Sequence, residues 1–250
     1  FASIWIFTLK LPWVLGADLF YRNLLDGDPA SNTCSWRWVA GLHTAGKTYL
    51  ARPANIEEYT QGRFKPEGQL ASTAVALEEA DLGPRVQPTF DVPDLAGQRI
   101  GLLLTPEDCA VDRLDPLPTP AGLFAWTEPV KRSVRPTAPA VDAFATQAVE
   151  SAVTASEARF GLSCVRAEAD EPTAEALARW AQDLALDCIV TPRLPLGPTR
   201  KAVHAACSSQ GLTLVEVTRP YDQAVWPHAR AGFFGLKKKI PAILASLSLA

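Results

Sequence analysis

The sequence contains no methionine, only three histidines, and five cysteines with no C-x-x-C among them. Cys34, Cys109, Cys164, Cys188 and Cys207 are odd in number and widely spaced, which excludes a disulfide framework and a zinc site by spacing. His43, His204 and His228 form no H-x-x-x-H or H-E-x-x-H pattern, so no metal site is expected. Free thiols fit a reducing, cytoplasmic setting. There is no long hydrophobic run. The opening F-A-S-I-W-I-F-T-L is interrupted by Lys10 and Pro12, which leaves it too short to span a bilayer. It also lacks the charged n-region and small-residue cleavage site of a signal peptide. It reads as a buried helix cut open on its N-terminal side. With no start residue, the chain is expected to begin inside a longer protein. A large charge excess is missing too. A net charge of −3 argues against a basic nucleic-acid surface over the whole chain.

What is present is a soluble globular composition, 48% hydrophobic and 20% charged, over 250 residues. That length suits one large or two small domains. Residues 1–68 read as helices joined by short turns. Pro12 closes the first and opens the next. From Trp13 to Leu25, Leu15, Leu19, Phe20 and Leu24 recur at helical spacing. Gly41 and Gly46 break the stretch after position 40, and Ile56 to Gln61 predicts a short helix. Residues 69–96 read as a linker: A-S-T-A-V-A-L-E-E-A suggests a short helix, and D-L-G-P-R-V-Q-P-T-F-D-V-P breaks regular structure.

From residue 97 the pattern changes. Short apolar runs predict strands at Arg99–Thr105, Leu123–Thr127, Ser163–Glu168, Asp187–Thr191 and Leu212–Val217. Helices are predicted at Ala140–Phe160, Thr173–Leu186 with Thr173 as cap, Pro198–Ser209 and Phe233–Leu249. A proline-rich loop is expected at Glu128–Pro139, and Tyr221–Phe234 reads as an aromatic loop packed on the sheet edge. Strands alternating with helices predict a Rossmann-like domain over 97–250: a mostly parallel sheet with helices on both faces. The fold class is therefore α followed by α/β. No G-x-G-x-x-G and no G-x-x-x-x-G-K-[ST] occurs in this block. The turn T-P-R-L-P-L-G-P-T-R suggests a helix N-terminus facing an anion, with Arg193 and Arg200 beside it.

The most informative stretch is L-D-G-D-P-A-S-N-T-C-S-W-R-W-V-A, Leu25 to Ala40. Asp-Gly-Asp-Pro is a turn signal, and Ser31 or Asn32 is expected to cap the helix that follows. Trp36 and Trp38 stand two positions apart on that helix, so they point to different sides and cannot share one packing role.

The string resembles the flavin-contacting motif of the DNA photolyase/cryptochrome family, D-G-D-x-A-x-N-x-x-x-W-x-W. The resemblance extends back through W-V-L-G-A-D-L-F-Y-R-N-L-L and forward through Tyr49, Arg52, Asn55 and G-R-F-K-P. It covers about the first seventy residues. The α/β block resembles the antenna domain of photolyases, although in those proteins that domain precedes the flavin domain. The resemblance implies FAD folded in a U within a helical domain, and an antenna chromophore of unknown identity. It implies that Asp26 pairs with an Arg beside the flavin, that Asp28 accepts from the ring edge, and that Gly27 lies in the same cofactor-binding turn. Asn32 then faces flavin N5. Trp36 is the first and Trp13 the second tryptophan of the photoreduction chain. Trp38 stacks on a flipped pyrimidine dimer, with Arg52 and Asn55 flanking that cavity.

The implied function is light-driven splitting of pyrimidine dimers, of cyclobutane or 6-4 type, in damaged DNA by a monomeric carbon–carbon lyase. The alternative is a cryptochrome-like photoreceptor without repair activity. The family's phosphate-binding segment, flavin-side Arg and second cavity tryptophan find no match. Residues 1–250 alone are therefore expected to be inactive and not to retain FAD.

Overall fold

The computed structural model describes the whole chain apart from residues 45, 81, 85, 88, 91, 130, 231, 249 and 250. Parts of the expected linker, the proline-rich loop, the aromatic loop and the end of the last helix lie outside the described residues for that reason. The chain divides into two compact units, Phe1–Gly83 with Lys131–Phe144, and Pro84–Val130 with Ala145–Ala250.

The first unit is helical. A single π-type turn, Ile4–Thr8, leads into α1 (Trp13–Asn23), α2 (Pro29–Ala40) and α3 (Pro53–Tyr59). Pro12 opens α1 from its N-cap, one position before the N1 place that a helix-opening proline favours. The α1–α2 pair forms the core of the unit, with Ile6, Ala17, Trp36 and Ala40 buried and Trp5, Trp13 and Phe20 packed on them. Gly16 makes this packing possible: a Cβ there would lie 2.2 Å from the Trp36 ring. The cap of α2 differs from expectation. Asp28, not Ser31 or Asn32, takes that place, and its Oδ1 accepts from Ser31 N at 2.6 Å. Pro29 explains the choice, because a proline at N1 fixes the residue before it as the cap.

The stretch 71–80 is not a helix. Leu77 N donates to Ala40 O at 3.0 Å, and Glu79 is bound to side chains of α1 and α2. These tertiary partners override a weak helical propensity. Lys131–Phe144 belongs to the same unit. Ala138 N donates to Arg22 O, and Arg22 donates to Pro136 O.

In the second unit, β1 (Ile100–Leu104), β2 (Gly122–Ala125), β3 (Cys164–Val165), β4 (Cys188–Pro192) and β5 (Leu214–Val217) form one sheet in the order β3-β2-β1-β4-β5. Every pairing is parallel. This is a doubly wound arrangement that reverses direction between β1 and β4. The residues of α4 (Pro139–Phe160) from 145 onward cover one face through Val149, Ala152 and Val153. The other face is covered by α5 (Thr173–Asp183) and α6 (Pro198–Ser209) through Leu177, Trp180, Val203 and Cys207. The Trp180 ring fits because Gly101 and Gly122 stand side by side across β1 and β2. A Cβ on Gly101 would meet that ring at 2.3 Å.

Three expectations are corrected here. Thr173 is buried and caps nothing; Pro172 holds the cap position of α5. The Tyr221–Phe234 loop contains α7 (Pro220–Val225) and a 3-10 turn, Trp226–His228. The final helix is two, α8 (Phe233–Lys237) and α9 (Ile240–Ser246). Pro241 sits in the first turn of α9, where a missing N–H is tolerated, and it disfavours a continuous helix through the residues before it.

Candidate flavin-contacting site

The site is built on α1 and α2. Asp28, Asn32 and Trp36 recur every four residues, so they share one face of α2. Asp28 commits Oδ1 to the cap, and among the described residues no partner claims its second oxygen. Asn32 is half-buried, and its Nδ2 donates to Ala17 O at 2.8 Å. Among the described residues, no hydrogen bond uses the remaining side-chain oxygen of Asp28 or that of Asn32. A groove of about 220 Å³ runs between the helices, lined by Trp13, Val14, Ala17, Asp18, Tyr21, Pro29, Asn32 and Thr33. Asp26 is exposed in the turn before α2.

The tryptophans separate as the spacing predicts. Trp36 is 3% exposed, with Phe20 edge-on at 5.3 Å and Trp5 at 6.4 Å between ring centroids. Trp38 is 44% exposed and lies against Tyr49 at 4.1 Å between ring centroids. Trp13 is half-buried at the start of α1 and packs against the cluster that buries Trp36. Arg52 and Asn55 are exposed at the cap and in the first turn of α3. No described contact joins them to Trp38.

The structure adds residues that sequence reasoning missed. Arg132 donates to Tyr21 O and Leu24 O, both at 3.0 Å, and its Nη1 abuts Gly27, where a Cβ would lie 2.6 Å away. Arg37 and Glu79 surround Trp13. Gly16 carried a signal, a small residue on an otherwise bulky helix. Arg132 and Glu79 carried none, since each acts across a long stretch of chain. Burial raises the Asp18 carboxyl, but hydrogen bonds from Ser133 and Arg22 and the charges of Arg22 and Arg135 outweigh it, so Asp18 titrates below its usual value.

Residues 1–75 match the family described as the FAD binding domain of DNA photolyase. Over this segment the chain is similar to the flavin domain of DNA photolyases. FAD is the cofactor of that domain class. No curated protein and no solved structure matches the chain. Among the described residues, no helix is long and apolar enough to cross a membrane.

In the second unit, the expected anion site at the start of α6 is already committed. Thr199 Oγ1 donates to Glu107 Oε1 at 2.5 Å, which places a carboxylate at that helix end. Arg200 pairs with Glu216 at 3.0 Å. Arg193 lies over the rings of Phe90 and Trp226 and donates to Thr89 O.

Proposed function

We propose that this chain contributes the flavin-contacting helices of a light-driven DNA repair enzyme that splits pyrimidine dimers. The observation that carries the reading is the division of α2 into a buried face with Trp36 and an exposed platform of Trp38 on Tyr49. When bound, reduced FAD supplies an electron on light absorption, which opens the dimer ring and is then recovered. The chain supplies the rest. Asp28 and Asn32 orient the ring through the side-chain oxygens left free by the cap and by the Ala17 bond, and the Asp26-Gly27-Asp28 turn is held against the end of α1 by Arg132. Trp36 and Trp13 conduct electrons toward the surface.

Trp38 and Tyr49 offer an aromatic face to a base that has left the stack, an interaction of about 1–3 kcal/mol per base. A photoreceptor needs the cofactor and the relay but no such platform, so the exposed Trp38–Tyr49 pair favours repair. Arg52, at the cap of α3, and Asn55, in its first turn, are assigned to the rim of the DNA cavity. The test is the loss of dimers from ultraviolet-treated DNA, in light and in darkness, by the full-length protein. Light-dependent loss supports repair. Bound, photoreducible FAD with no loss of any dimer contradicts it and supports a cryptochrome-like receptor.

A further inference from the structure

Trp13 is held by two charged groups that its packing does not require. Its indole Nε1 donates to Glu79 Oε1 at 2.9 Å. The Arg37 guanidinium carbon stands 5.9 Å from its ring centroid, and Arg37 and Glu79 form an ion pair with each other. An indole N–H is only a donor and an ionised carboxylate only an acceptor, so the direction of the bond is fixed. Glu79 comes from the stretch after α3, 66 residues from Trp13 and 42 from Arg37. Its side chain is 29% exposed and that of Arg37 17%, so water screens the triad only in part.

We infer that Glu79 is the base that takes the indole proton when Trp13 is oxidised. The inference rests on the electron-relay reading of Trp13 given above. In the step, one electron leaves the Trp13 ring for an oxidised Trp36 indole, which returns to its neutral form. The Nε1–H bond of Trp13 breaks and the proton crosses the existing hydrogen bond to Glu79 Oε1. The products are a neutral indolyl radical and a neutral carboxylic acid. Return of one electron and the same proton restores both groups. The primary oxidant is the photoexcited flavin of the proposed reading, and any one-electron photo-oxidant strong enough for indole serves in its place.

Charge sets the direction. An indole that has lost an electron is strongly acidic at its N–H. Until the proton moves, one carboxylate faces two cations, the guanidinium and the ring beneath it, and these repel each other. Transfer removes one of the two. It also traps the hole as a neutral radical, which slows its return to Trp36.

The test uses transient absorption after a laser flash on the full-length protein, as wild type, Glu79→Gln and Trp13→Phe. One arm uses bound FAD as photo-oxidant; the other uses a ruthenium polypyridyl with a sacrificial acceptor in solution. Gln keeps an oxygen for the indole N–H but is no base. A positioned base accelerates proton transfer by about 10²-fold or more, so in E79Q the protonated indole radical, which absorbs at longer wavelength than the neutral one, persists about 10²-fold longer. W13F removes the Glu79-dependent component. If E79Q melts early, Glu79→Asp keeps the carboxylate and restores fast proton loss.

A component absent in W13F but identical in wild type and E79Q overturns the inference and leaves the relay reading intact. A Glu79-dependent signal in the ruthenium arm with none in the flavin arm upholds the base and overturns the flavin reading. A W13F trace identical to wild type in both arms overturns both.

Discussion

Gly16 decides how closely α1 can approach α2. With a Cβ 2.2 Å from the Trp36 ring, any side chain there pushes the ring out of its place among Phe1, Trp5 and Phe20. Overpacking of this kind costs about 1–3 kcal/mol. Gly16→Ala is therefore expected to lower the midpoint of chemical denaturation of the first unit and to red-shift tryptophan emission. An unchanged midpoint would show that the contact does not constrain the helices. At this scale the sequence was legible where residue type and local spacing sufficed. The separation of Trp36 from Trp38 follows from helical geometry alone. Glu79 and Arg132 could not be found that way, because their roles depend on which distant segments fold back onto α1.

Helix α2 carries the acceptors that the proposed function assigns to the flavin, and on that reading its first turn depends on Asp28 twice. One carboxylate oxygen caps the helix, and among the described residues no partner claims the other. The two roles are separable. Asp28→Ser retains a capping oxygen and is expected to keep thermal stability within a few tenths of a kcal/mol, whereas Asp28→Ala loses about 1 kcal/mol. In the full-length protein both variants are expected to release FAD more readily than wild type, as read by equilibrium dialysis. If D28S holds flavin as wild type does, Asp28 is a cap and nothing more.

The elements themselves were largely readable. Pro198–Ser209 coincides with α6, and the five strand positions hold, because buried parallel strands are short apolar runs between breakers. The exceptions have local causes. Pro29 moved the cap to Asp28, Pro241 split the last helix, and contacts to Ala40 and Arg37 kept 71–80 extended.

Over the whole molecule, the two units respond to opposite ends of the pH scale. Asp18 in the first unit has a folded pKa below its ordinary value of 3.8. Its contribution is complete above that value and is lost as pH falls through the lower folded one. Acid is expected to loosen the α1 contacts with 131–144, and Asp18→Asn to flatten that acid dependence in a thermal-melt series. Cys164 and Cys207 lie in the second unit, where burial pushes their thiols up to about 12 and about 11 from 9.0. A raised pKa favours the fold below pH 9.0, and this contribution is lost as pH rises through the folded values. The second unit is therefore expected to weaken above pH 9.0, with Cys164 and Cys207 resisting iodoacetamide while exposed Cys34 reacts.

The central claim is that Trp36 faces the flavin and the electron relay while Trp38 faces DNA. The most direct measurement compares Trp36→Phe and Trp38→Phe in the full-length protein, reading flavin photoreduction and light-driven dimer loss side by side. The account predicts a crossed result. W36F loses photoreduction but still repairs dimers once its flavin is reduced chemically, and W38F photoreduces normally but binds and repairs dimer-containing DNA poorly. If both variants lose the same activity, or neither loses any, the two tryptophans do not have separate jobs and the claim is wrong.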